Sequence, residues 1–230
     1  MIDRVRLGGL CWVVCASFFL AQLAAHLAAP GHDLFRYDIS LLGVSNCGVY
    51  LVATTGSTDL VCSPLHAVFN LGIIIHGAAA IIGILLTRPI WPSGQTTSWA
   101  LGLLALGGLG AILVGAFPID RDMLVHIVGA VASIAAAGLG FLLLALTLHQ
   151  SAPQLAGLTA LVGVVVLLAG LGHALGGVPW GRGTMERLAV WPQTIWYVGV
   201  GIAVLSKDLQ LRRSTATRRA NLGSSVSVRH

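Results

Sequence analysis

Six mostly apolar runs of about 20 residues or more, separated by short polar connections, limit this 230-residue chain to very few folds. As a helix, a run of about 20 residues matches the ~30 Å hydrocarbon core of a bilayer. Inside that core every peptide group needs a partner within the chain, which leaves only helices or closed barrels. The runs lack the alternation of a barrel strand. The reading is therefore all-α: a polytopic membrane protein, a bundle of six transmembrane helices at about residues 7–29, 63–87, 97–116, 122–148, 155–176 and 185–206. Composition agrees, with 56% hydrophobic and 9% charged residues and a mean hydropathy of +0.88; soluble domains carry about 25% charged residues. Many of the 29 glycines, above all those of 102–110, read as surface for close helix packing.

The first run is long enough to span and has no distinct small-x-small cleavage site, so it is taken as a retained helix. Within it Cys11 and Cys15 sit one turn apart as small apolar fillers. Residues 30–62 form the longest polar connection, expected to fold over the helix ends rather than stay structureless. Cys47 and Cys62 lie inside it, and in an oxidising compartment they would clip it as a disulfide. Residues 207–230 are basic and rich in Ser, Thr and Arg, and read as a disordered, solvated tail.

Orientation follows from lysine and arginine. Nine of them (Arg4, Arg6, Arg88, Lys207 and five tail arginines) fall on the side of the termini, against Arg36, Arg121, Arg182 and Arg187 opposite. By the positive-inside rule both termini are cytoplasmic, and the chain is expected to be a multi-pass protein of the cell (cytoplasmic) membrane. The tail needs no nucleic acid partner, because anionic lipid headgroups suit it equally well. Membrane lipid is the expected partner.

The acidic residues and most histidines gather on the opposite, outer side. The stretch Phe117-Pro118-Ile119-Asp120-Arg121-Asp122, ending at His126, sets two carboxylates, an arginine and an imidazole at the mouth of a helix pair. Asp122 is placed to cap the helix it opens and shares a face with His126. His66 falls in the first outer turn of the second helix, His173 in the last of the fifth, and Glu186 and Arg187 at the start of the sixth. Ionisable groups at membrane depth are costly and usually turn toward a partner or a cavity, so an outward pocket is expected.

Four motifs also carry a resemblance. They are Tyr37-Asp38-Ile39-Ser40-Leu41-Leu42-Gly43; Ser63-Pro64-Leu65-His66 with Phe69-Asn70; Phe117-Pro118-Ile119-Asp120 with His126; and Gly183-Thr184-Met185-Glu186-Arg187. In this order the series resembles a prokaryotic six-helix membrane family catalogued as domain of unknown function 998. The resemblance implies the six-helix fold and a shared outward polar site. It brings no activity with it, and the Cys47–Cys62 pair stands outside its pattern.

Three functional readings follow. The first is a metal-dependent hydrolase acting on a lipid or acyl-linked substrate at the outer leaflet, with zinc on His66, His126 and His173 and Asp120 or Asp122 as base. Ser40 or Arg187 would orient the substrate, and Asp38 and Glu186 complete the candidate catalytic set. The second is a haem-binding electron carrier using two histidines on facing helices, such as His66 or His76 with His126 or His173. The third is non-catalytic: Asp38, Asp120, Glu186 and Arg187 form an ion-pair network, with Asp120 or Asp38 on Arg187, or line a solute or proton pathway. No phosphate loop, Gly-x-Ser-x-Gly elbow or Cys-x-x-Cys pair is present.

Overall fold

The computed structural model describes the backbone of residues 2–51, 58–176 and 180–226, and the side chains of 4–50, 58–176 and 180–206. Among the described residues six helices are long and apolar enough to cross a membrane: Arg4–Ala28, His66–Ile90, Gln95–Ala116, Met123–Leu148, Pro153–Ala174 and Arg182–Ser206. An even number of crossings returns the chain to its starting side; the opposite end is called outer below.

The first crossing is broken into α1 (Ile2–Val14) and α2 (Ser17–Ala28), joined by a tighter turn in which the amides of Cys15 and Ala16 donate three residues back. Then come a short 3₁₀ turn (Ile39–Gly43), β1 (Gly48–Leu51) paired antiparallel with β2 (Thr58–Val61), α3 (His66–Thr87) and α4 (Gln95–Ala116). The fourth crossing is α5 (Met123–Val131), a π turn (Ala132–Ala136) and α6 (Ala137–Leu148); α7 (Pro153–Ala174) and α8 (Arg182–Val226) complete the chain. Local chemistry sets the boundaries. Pro153 opens α7 where its missing N–H costs nothing. Asp122 caps α5 by accepting from the Val125 amide at 3.1 Å.

Two boundaries differ from the sequence expectation. The strands were not foreseen, because four residues are too few for a legible alternation; Cys47 and Cys62 are disulfide-bonded beside their open end, where Gly48 faces Val61. The last helix continues to Val226 rather than giving way near residue 206 to a disordered tail. No Gly or Pro interrupts 207–222, so nothing in the chain stops the helix there. The side chains of 207–226 and all of 227–230 lie outside the described residues, as do residues 52–57.

Consecutive crossings pack against each other and the last returns to the first, so the helices form a closed ring. The half nearer the termini is filled by aromatic rings. Trp12 lies 5.8 Å from both Trp196 and Tyr197, Trp91 stacks on Trp196 at 6.0 Å, and Phe141 meets Trp196 edge-on at 5.0 Å. Each buried indole N–H finds an acceptor: Trp12 on the Ala80 carbonyl, Trp91 on Thr87 Oγ1 and Trp196 on Thr159 Oγ1. With no water in the bilayer core, a missing acceptor would cost about 1–3 kcal/mol. Glycine sets the helix spacing. A Cβ on Gly110 of α4 would meet the Gly129 carbonyl of α5 at 2.5 Å, and one on Gly83 of α3 would enter the indole of Trp12. Gly102 differs from its neighbours in the run 102–110, because nothing lies within 4 Å of its Cβ position.

These contacts predict opposite outcomes for two similar changes. Gly83→Leu overpacks the aromatic core and should lower stability by about 1–3 kcal/mol, whereas Gly102→Leu adds only outward surface and should leave the melting temperature unchanged. Fluorescence-detected size-exclusion melts of both detergent-purified variants test this; equal melting temperatures would contradict the core assignment.

Candidate functional site

The site is built where the loop after α2 is pressed between the outer helix ends. Ile39, Leu41, Leu42 and Val44 are buried there with Phe18, Phe69 and Ile73. Burying a loop also buries its peptide groups, which need partners. The Ile39 amide donates to Glu186 Oε2 in a short hydrogen bond, Asn70 Nδ2 donates to the Gly43 carbonyl at 2.9 Å, and Ser63 Oγ donates to the Leu42 carbonyl at 2.6 Å.

Asp38, at the start of this turn, is the electrostatic centre. Its carboxylate accepts from Arg182 Nη2 at 2.7 Å and Nε at 3.1 Å, and lies 3.2 Å from His173 Nε2. Burial works to raise its pKa, but the hydrogen bonds from His173 and Arg182 outweigh it and hold the carboxyl below its ordinary value. His32 Nε2 meets the Asp38 carbonyl at 3.2 Å, and His32 Nδ1 lies 3.3 Å from His26 Nδ1. Burial pushes the His32 imidazole down to about 4, so at neutral pH it is uncharged, with Nε2–H donating and Nδ1 free to accept from His26.

Asp38, His173 and Glu186 each offer a ligand atom within 4.8 Å of the other two, and they are the group of this kind among the described residues. The expected zinc trio is not assembled. His66 stands on α3 and His173 on α7, and these helices occupy opposite parts of the ring: α3 packs on α1, α2 and α4, and α7 on α6 and α8. His66 instead bonds the Ser63 carbonyl at 2.9 Å and faces an open outer groove with Asn70, Arg121 and Asp122. Arg182 Nη2 also lies 3.2 Å from His173 Nε2, so a guanidinium already neutralises Asp38. A divalent ion on this triad would have to displace it.

The remaining candidates separate by role. Asp120 Oδ2 accepts from the Ser45 amide and hydroxyl at 3.0 and 2.7 Å, and from the Asn46 amide and side chain at 3.1 Å. Partial burial opposes its ionisation, but the Ser45 and Asn46 hydrogen bonds hold it below its ordinary value. It ties two loops together and lies outside the Asp38 cluster. Asp122 is the helix cap already described. Arg187 reaches neither Asp120 nor Asp38: its Nη1 donates to the Tyr37 and Gly183 carbonyls at 2.9 Å, while Nε and Nη2 are buried without hydrogen-bond partners.

Ser40, His126 and Glu186 line one cavity beneath the turn, which continues inward past Ser133 and Gln193 to His76 and Tyr197. His126 Nδ1 lies 2.9 Å from the Phe117 carbonyl, the geometry of a donor, which leaves Nε2 as the basic nitrogen. Other walls are apolar, among them Phe18, Phe69 and Ile134. Such a set can bind a polar group, hold water and move a proton. Sequence reasoning missed Arg182, although its spacing four residues before Glu186 puts both on one helix face. It also left Gln193 and Ser133 aside, for which no signal stood out.

A family model described as "Protein of unknown function (DUF998)" matches residues 12–203. No curated protein and no solved structure matches the chain.

Asp38→Asn tests the centre of the network. It removes the buried carboxylate that pairs the partly exposed Arg182, a loss that falls between the about 0–1 kcal/mol of a surface pair and the about 3–5 kcal/mol of a fully buried one, so the melting temperature should fall at pH 7. The sign with pH follows from the lowered pKa. The wild type keeps this increment above the ordinary carboxylate value of about 4 and loses it as the pH falls through the lower folded-state value. The variant has nothing to lose, so the two melting curves should converge in acid. A constant gap between them down to acid pH would sink the assignment.

Proposed function

Since the chain belongs to the DUF998 family of proteins of unknown function, a multi-pass bundle with a possible Asp/His/Glu cluster, we propose that it is a membrane-embedded hydrolase acting on a lipid or acyl-linked substrate at the outer leaflet. The observation that carries this reading is the cavity that Ser40, His126 and Glu186 line together, with Ser133, Gln193, His76 and Tyr197 deeper in and apolar side chains between them. Hydrolysis in a bilayer needs water where lipid excludes it, a base to take the water's proton, and a group to return a proton to the leaving oxygen. His126, with Nε2 free, is assigned the base, Glu186 the acid, and Ser40 the group that orients the carbonyl. Arg182 and Arg187 supply the positive field in which an anionic headgroup would settle. The positive-inside distribution of lysine and arginine supports an outward orientation in the cytoplasmic membrane.

The Arg182 guanidinium against Asp38 supports a mechanism without resident zinc. A haem carrier has less support: a macrocycle would have to fit whole into a cavity of about 60 Å³, far below the roughly 300–1,000 Å³ of pockets for sizeable ligands, whereas hydrolysis needs only the scissile group there while the acyl chains stay in the leaflet. A through pathway for solute or proton is opposed by the aromatic rings that fill the ring's other half.

Purified protein in vesicles of bacterial phospholipid and lipoprotein-like acylated peptide, followed by mass spectrometry of released acyl chains, tests the proposal. Turnover should fall about 10²–10⁴-fold in His126→Ala and Glu186→Gln, the usual worth of a positioned acid or base, with folding intact by size exclusion. Absence of turnover on ester-, thioester- and amide-linked lipids, or full activity in both variants, would overturn it.

A further inference from the structure

The mechanism above leaves His76 unused, although it lies deep in the same cavity. This residue is 6% exposed, and its Nδ1 is buried without a hydrogen bond. An imidazole nitrogen left dry in a membrane protein is costly, because no solvent relieves it. The cavity reaches it from the outer end: along α8 its lining runs from Glu186 to Tyr197, and along α3 from Phe69 to Ala80. Eleven residues of helix span ~16 Å.

Two helix irregularities border this space. The π turn Ala132–Ala136 interrupts the fourth crossing, and Pro192 interrupts α8. A proline inside a helix leaves the carbonyl four residues earlier without its amide, here that of Leu188. Gln193 Nε2 reaches across to the Ser133 carbonyl at 3.4 Å. The polar residues Ser133, Gln193 and Tyr197 thus continue the line from Glu186 toward His76. Beyond Tyr197 the path ends against Trp12, Trp196 and Phe141.

The room left for water is about 60 Å³. At roughly 10–15 Å³ of such space for each molecule, this holds about four to six waters. In single file, at hydrogen-bond spacing of about 2.8 Å, they extend ~11–17 Å. The number of waters and the depth of the cavity agree. We infer that the cavity is a dead-end water inlet, in which a file of water enters beside Glu186 and His126 and ends at His76, whose ring lies beside that of Tyr197. This deepens the hydrolase reading by assigning its water store, but it rests on the cavity and not on any turnover.

Silver ion is close to water in size and reacts with thiolate, so it probes a narrow wet path. In a chain with Cys11 and Cys15 replaced by alanine, single substitutions His76→Cys, Ser133→Cys and, as a dry control, Leu144→Cys are placed in sealed right-side-out vesicles. Silver nitrate or a bulky charged methanethiosulfonate is added outside, and the remaining thiol is counted by maleimide after denaturation. The expected result is that the thiols at 76 and 133 react with silver roughly 100-fold faster than the thiol at 144, because a dry core thiol reacts only through local opening. Both should resist the bulky reagent. Silver reaction at 76 and 133 no faster than at 144 overturns the inlet, and equal reaction from the cytoplasmic side overturns the dead end. If the variant at 76 fails to fold, the one at 133 decides. No substrate is involved, so a failed hydrolase assay leaves this result standing.

Discussion

A peptide amide buried between helix ends has to find an acceptor, and at Ile39 that acceptor is Glu186. Much of the outer half depends on this contact. It draws the turn Ile39–Gly43 down onto the helices, where Ile39 and Leu42 join the apolar cluster of Phe18 and Phe69. Asp38, one residue earlier, is thereby held against Arg182 and His173. Glu186 and Arg182 lie on one face of α8 and grip consecutive residues of the same loop. The loop is thus a fixed lid over a polar cavity, and the charges that fix it belong to the pocket they enclose.

The two halves of the ring solve the same problem by different means. Toward the termini, bulky aromatic side chains fill the centre and satisfy their N–H groups on a carbonyl and on threonine hydroxyls. Toward the outer end, loop backbone and ionisable side chains take over, and they leave space beneath them. Small residues permit both arrangements. Gly110 and Gly129 bring α4 and α5 into backbone contact beside the cavity, while Gly83 makes room for Trp12 in the aromatic half.

The crossings were legible because the bilayer demands about 20 apolar residues from each, a signal too long to mistake. Proximity within the ring was not. The sequence puts His66, His126 and His173 near the outer ends of their helices. Ligation also requires neighbouring helices, and α3 and α7 are not neighbours. Asp122 behaved as its spacing suggested, capping α5, because a cap is a local interaction. The partners of Asp120 could not be foreseen: Ser45 and Asn46 are some 75 residues away in sequence and have no periodic signature. Arg182 was counted only as an outer charge, although its helical spacing to Glu186 was in plain view.

A closed helical ring with one solid half and one hollow half favours a site over a conduit. A pathway needs polar groups at every depth, and here they thin out at Tyr197, where four further aromatic rings converge. To open the inner half, several indole hydrogen bonds would have to break at once with no water to replace them. The outer half is held differently, by hydrogen bonds between polar or ionisable side chains and loop backbone at a few named points. The polar investment of this chain is concentrated at one end of the bundle.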